Sequence, residues 1–175
     1  MEKSCKDYAP HPHLLETLFA FKKKVSAIFR DVLGIYEIHH ISITQVTSQK
    51  KFISLSSTPA LEFNLFNSAL WRYDRSYDPQ WFTLNRHDYW SNLYEPARYD
   101  ELYYLKQIKH DYASGISLAT RLNEQTLIYS LASQKSCPNT LDAFINLHED
   151  FYKIGHYCFN LLEPLFHQCE IWKEK

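Results

Sequence analysis

The chain has 175 residues, 45% hydrophobic and 22% charged, and its 19 basic and 20 acidic residues leave a net charge of −1. That length and balance fit one globular domain that buries its own core, and they exclude a disordered tail and a whole-molecule positive field for nucleic acid or anionic lipid. The longest run without a formal charge, Ile38 to Gln49, has 12 residues, too short to cross a bilayer. Met1 to Asp7 holds no apolar stretch of a signal peptide, so a cytoplasmic location with reduced thiols is expected. The four cysteines, Cys5, Cys137, Cys158 and Cys169, form no CxxC and no zinc-finger spacing. Gly34, Gly115 and Gly155 are too far apart for a phosphate-cradling GxGxxG or P-loop. Aromatic residues reach 16%, and such rings line small-molecule cavities as well as filling cores.

Residues 1–12, with Pro10 and Pro12, read as an N-terminal extension, and 13–175 as a single domain. From His13 to Leu33 the apolar spacing is helical, with Lys22, Lys23 and Lys24 on a wet face and Gly34 as the terminator. Ile38–Thr47 and Phe52–Ser56 alternate as a hairpin about Ser48-Gln49-Lys50-Lys51. Thr58-Pro59 predicts an N-cap and first turn of a helix through Trp71, with Leu61, Leu65 and Leu70 inward. Arg72 to Glu95 has no clear period but is loaded with rings, so it is expected to fold over something apolar. A helix over 97–112 follows, with Leu102, Leu105, Ile108 and Tyr112 as its stripe. A second hairpin then runs through Ile116–Leu122 and Thr126–Ala132. The last helix opens at Pro138, with Gly155 on its inner stripe, where it suggests close contact with a neighbouring element, and Pro164 as its end or kink. Two hairpins among helices predict an α+β fold, an α-β-α sandwich with a central antiparallel sheet and helices on both faces.

Two patches carry a resemblance. One is Ser114-Gly115-Ile116-Ser117 followed by Arg121, Asn123 and Tyr129-Ser130-Leu131-Ala132-Ser133. The other is Trp71-Arg72-Tyr73-Asp74-Arg75, then Tyr77-Asp78-Pro79, then Asp88-Tyr89-Trp90. Together with the element order over roughly residues 14–165, they resemble the autoinducer-binding, PAS/GAF-like domain of LuxR-type quorum-sensing regulators. The resemblance implies a non-catalytic sensor for a small, partly apolar signal such as an acyl-homoserine lactone, working as a homodimer in transcription regulation. It implies Asp78 as a buried carboxylate for the ligand amide, Trp90 as a ring wall and Ser130 as a hydroxyl on the second strand. Trp71 and Tyr73 would be candidate donors, Tyr77 and Trp81 further ligand-binding residues, and Pro79 and Gly115 structural residues. No cofactor and no metal is implied.

The match departs from the family in two places. The family's tryptophan stands further upstream of its aspartate than the seven residues between Trp71 and Asp78, and Leu65 occupies the usual distance. After Pro164 only 11 residues remain, so no helix-turn-helix and no direct nucleic-acid contact are expected of this chain. Asp78-Pro79 also reads as an ordinary turn or cap, the tryptophans as plain core, and Gly115 as a corner with positive φ. The face to which Ser130 points is left open. His39 and His40 are neighbours on a strand and point apart, His148 and His156 lie two helical turns apart, and no HExxH or GxSxG occurs, so a metal centre or enzyme is not expected. The remaining alternative is a ligandless dimerisation module whose interior is filled by its own rings.

Overall fold

The computed structural model describes residues 7–135 and 138–172. In chain order the elements are β1 (Ala9–Pro10), α1 (Leu14–Ala20), α2 (Lys22–Arg30), β2 (His40–Val46), β3 (Lys51–Ser56), α3 (Pro59–Asn67), α4 (Pro79–Phe82) and β4 (Arg86–Tyr89). They continue with α5 (Trp90–Leu93), α6 (Tyr99–Lys106), β5 (Ser114–Leu122), β6 (Gln125–Ser133), α7 (Pro138–Asn146) and α8 (His148–Glu170). The strands form one sheet in the order β1-β3-β2-β6-β5-β4. All pairings are antiparallel except β1 with β3. Helices α2, α7 and α8 cover one face through Val25, Phe29, Phe144, Phe151, Phe159 and Phe166. On the other face lie α1, α3, α6 and the ring-rich crossover from α3 to α6. This is the expected α-β-α sandwich.

Several boundaries differ from the sequence expectation. The first helix breaks at Phe21 (φ −117°, ψ 28°) because its halves serve opposite sides of the sheet. Leu14 and Leu18 enter the crossover-side core, whereas Val25 and Phe29 enter the other. One straight helix cannot touch both. Gly34 holds a positive φ of 98°, but in the turn beyond α2, which ends at Arg30. Leu147 (φ −113°) divides the last helix into α7 and α8. Pro164 neither ends nor closes α8, which runs on to Glu170. The carbonyl that a proline cannot serve belongs to Asn160, which is solvent-exposed, while Leu162, Leu165, Phe166 and Cys169 continue the buried stripe beneath. β1 and β4 carry no sequence signal, being short edge strands, and Pro10 is tolerated because β1 is an edge.

Two glycines are explained by rings. Gly115 lies inside β5 opposite Ala132, not at a positive-φ corner, and a Cβ there would run into the indole of Trp90. Gly155 on α8 admits the face of Tyr129, whose hydroxyl shares a hydrogen bond of 2.7 Å with His156 Nδ1. Cys158 and Cys169 are buried free thiols, their pKa pushed up to about 12 and about 11 mainly by burial, which makes them unreactive. Cys5 and Cys137 lie outside the described residues. No described helix is long and apolar enough to cross a membrane.

Gly155→Ala should cost about 1–3 kcal/mol by overpacking against Tyr129, seen as a lower Tm in a thermal melt. Burial lowers the pKa of His87, His110 and His156 from 6.5, with the neighbouring His148 adding to the effect at His87. These groups protonate first in the unfolded chain, so their contribution is complete above about pH 6.5 and is lost as pH falls through the lowered values. Tm should therefore drop on acidification, and the slope should be shallower in His156→Gln.

Candidate functional site

Alternation along the strands sorts one kind of residue to each face. On β2, Ile41 and Ile43 face α8, while His40, Ser42 and Thr44 face the crossover, and both sets are buried. The same holds for Ser54 and Ser56 on β3, Ser130 on β6 and Ser117 on β5. Cross-strand register aligns Ser56, Ser42, Ser130 and Ser117 in one row across four strands. Ser117 and Ser130 hydroxyls lie 3.3 Å apart, and Thr44 donates to Ser54 at 3.1 Å. The sheet thus presents a floor of short hydroxyl side chains to the crossover.

Above this floor sits an ion pair that is sealed from solvent. Lys106 Nζ donates to Asp74 Oδ2 at 2.7 Å, and each residue is 1% exposed. The second oxygen of Asp74 accepts from Ser76 N (3.1 Å) and Ser76 Oγ (2.6 Å). The ammonium also lies 4.1 Å from the ring centre of Trp90 and 5.5 Å from that of Tyr94. This cation–π contact is strong where water is excluded. Tyr94 donates to Gln107 Oε1 at 2.9 Å, and Gln107 Nε2 donates to the Tyr112 and Ala113 carbonyls. Burial, with the Asp74 charge close by, raises the Tyr94 and Tyr77 phenols well above 10, so both stay protonated.

Beside the ion pair lies a second polar group. Glu62 on α3 and His40 on β2 are buried, with Glu62 Oε1 3.5 Å from His40 Nε2. His40 Nδ1 bonds the Thr58 hydroxyl at 2.9 Å, which is also 2.7 Å from the Tyr112 hydroxyl. Thr58 therefore occupies the N-cap position of α3 without capping it, because its side chain is turned inward. Tyr77 shares a hydrogen bond with Thr44 and feels both Asp74 and Glu62. Four buried atoms of this region have no hydrogen-bond partner among the described residues: Trp90 Nε1, Ser42 Oγ, His40 Nε2 and Glu62 Oε2.

Of the residues expected at the site, Tyr77, Trp90 and Ser130 meet on this face, Ser130 on the crossover side of the sheet. Asp78 is placed elsewhere. It is half-buried, and its carboxylate accepts the Gln80 N–H at 2.9 Å as the N-cap of α4, with Pro79 at the first helical position. The sequestered acid of the crossover is Asp74. Trp71 packs on Phe52 and Phe66, with the Arg72 guanidinium 5.3 Å from its ring, and Trp81 is buried in the same core. Tyr73 is half-buried beneath the Arg98 guanidinium. Sequence reasoning passed over Asp74, Lys106, Glu62, His40 and Ser42. Lys106 follows Leu102 by four residues, and Glu62 precedes Phe66 by four, so both stand on apolar rows of helices. Ile108, expected in that stripe, is exposed instead.

Among described residues, no cluster of three or more metal-ligating side chains occurs. No family model and no curated protein matches the sequence. Among solved structures, the chain is similar to SdiA in complex with octanoyl-rac-glycerol, at a TM-score of 0.56 and 13% identity, covering 91% of this chain and 66% of that one. It is also similar to Escherichia coli SdiA in a second structure, at a TM-score of 0.52 and 12% identity, covering 91% and 71%. The chain therefore spans about two thirds of the SdiA chains it matches.

Lys106→Met should leave the Asp74 charge buried and unpaired, at a cost of about 3–5 kcal/mol. The double variant Asp74→Asn/Lys106→Met should recover much of that loss, measured by urea unfolding of all four chains in the cycle. What similarity at this level establishes is architecture: the chain has the fold of the matching part of SdiA, a LuxR-type quorum-sensing regulator.

Proposed function

We propose that this chain is the signal-sensing domain of a LuxR-type regulator, non-catalytic, taking a small, partly apolar molecule between the sheet and the crossover. The observation that carries the reading is the set of orphaned polar atoms, Trp90 Nε1, Ser42 Oγ and Glu62 Oε2, buried together on the crossover face. Burying such groups without partners is costly, and a bound molecule with one acceptor and one donor relieves it. The rings of Trp90, Tyr77 and Phe52 supply the apolar wall. A lipid-like ligand in a structure of the same fold is consistent with this use of the layer. The contacts we assign are Trp90, Tyr77, Ser42 and Ser130, with Trp71 and Trp81 as outer packing. Asp78, in this assignment, keeps α4 in place and reaches no ligand.

A second reading rests on Lys106. Its ammonium supplies Asp74 with a cation from within the chain, as a ligand otherwise would. In that reading the interior is complete, and the chain serves as a dimerisation module through the outer row of α8, where Tyr157 and Leu161 are exposed.

Native mass spectrometry of the purified chain, followed by organic extraction, separates the two. A retained small molecule is expected from the sensor; a dimer that yields no extractable molecule would overturn it in favour of the module. Ligand binding at a hundredfold excess over Kd should add about 2.7 kcal/mol of stability. Trp90→Phe, which keeps an aromatic ring beside Lys106 but removes the indole N–H with part of the ring, should reduce that gain, read as a smaller thermal shift measured against the variant's own ligand-free Tm.

A further inference from the structure

The crossover face buries four ionisable side chains, His40, Glu62, Asp74 and Lys106. Their needs are met unequally. Asp74 has a cation on one oxygen and two donors on the other. Lys106 is committed to Asp74 and to the rings of Trp90 and Tyr94. Glu62 has only the His40 ring at 3.5 Å beside Oε1, and Oε2 has no partner among the described residues. His40 cannot serve it better by turning, because Nδ1 is tied to Thr58, and Thr58 to Tyr112.

A carboxylate in this position asks for a donor, and a charged donor meets the demand best. Within the same cluster stand the missing complements. The Trp90 ring is 6.0 Å from that of His40, and its N–H, which can only donate, lacks an acceptor among the described residues. Ser42 lies two residues from His40 on the same strand face, with an unengaged hydroxyl. A hollow of about 500 Å³ opens outside, lined by Gln107 and Tyr112. The ring centres of Tyr112 and His40 are 5.2 Å apart.

Resting on the sensor reading above, we propose that the sensed molecule carries a protonated amine received by Glu62 and Ser42, with a nearby oxygen that accepts from Trp90 Nε1. The ligand class is thus an amino alcohol or an ester or amide of one. A neutral alcohol of the same shape satisfies Trp90 but brings no charge to Glu62. A carboxylate-bearing analogue is repelled by it.

The experiment uses the full chain and three isosteric probes at equal ionic strength, 4-amino-1-butanol, 1,4-butanediol and 4-hydroxybutyrate. Thermal shift and calorimetry are the readouts. The amino alcohol should raise Tm and bind at least tenfold more tightly than the diol, with no binding of the acid. Glu62→Gln should erase that preference, whereas Trp90→Phe should weaken the amino alcohol and the diol alike and leave the preference standing. Equal binding of the diol, or an unchanged preference in Glu62→Gln, would overturn the amine assignment while leaving the sensor reading in place. Should no probe bind, the molecule extracted from the purified chain decides: one with an amine supports the proposal, one without an amine overturns it. No extracted molecule at all overturns this proposal and the sensor reading together.

Discussion

An ammonium clamped between a carboxylate and an indole face organises the crossover half of this molecule. Lys106 comes from the last turn of α6, Asp74 from the start of the short helical turn over 75–77, and Trp90 from the head of α5. These segments share few regular backbone hydrogen bonds. An isolated antiparallel bridge joins Asp74 to Tyr94, and the ion pair brings Lys106 to the same point above the sheet. A single lysine thereby joins three points of a segment that would otherwise be a long loop, and long loops inside compact domains need such ties. Trp90 also reaches down to Gly115, so the tie continues into β5.

The layer beneath is unusual in being polar on the inside. In an ordinary two-sided sheet both buried faces are apolar. Here the α8 face follows that rule, with Ile41, Ile43, Leu127, Leu131 and Ile116. The crossover face is mixed: Phe52, Ala119, Ile128 and Ala132 are apolar, but serine, threonine and histidine stand among them, alternating with the residues of the other face. Such a surface is stable only if each hydroxyl and ring nitrogen finds a partner. Much of the partnering is internal, as with Thr44 and Ser54 or His40 and Thr58. Among the described residues, seven buried polar atoms are left over, four of them at Ser42, Glu62, His40 and Trp90 and the others at His13, Gln45 and His110. The four that share the crossover face are the ones on which the proposed sensor reading rests.

The fold was largely legible because hydrophobic spacing records burial. The two hairpins, α3 and the long α8 stripe all announce themselves in this way. The site was less legible for the same reason. Ser42 and Thr44 alternate with isoleucines, a pattern that marks a strand without saying what covers its polar side, and they are buried under a second layer that has no periodicity of its own. Asp78-Pro79 drew notice because the dipeptide is conspicuous, and the same local geometry makes it a helix cap. Asp74, four residues earlier, carries no local signal, since its partner Lys106 lies 32 residues away. Long-range electrostatic pairing leaves no period to read. The glycines show a milder version: Gly155 was rightly expected at a close contact, whereas Gly115 needs its missing Cβ for an indole and not for a left-handed turn.

The serine row over Ser56, Ser42, Ser130 and Ser117 has an evolutionary implication. Its members are the shortest hydroxyl side chains available, so they set how closely the crossover can approach the sheet. Exchanging one for threonine, alanine or asparagine would change depth and polarity at a single strand without touching the Lys106 clamp or the helices on the far side. On the sensor reading proposed above, selectivity and architectural integrity are thus written on separate residues, so that the one can drift while the scaffold stays constant.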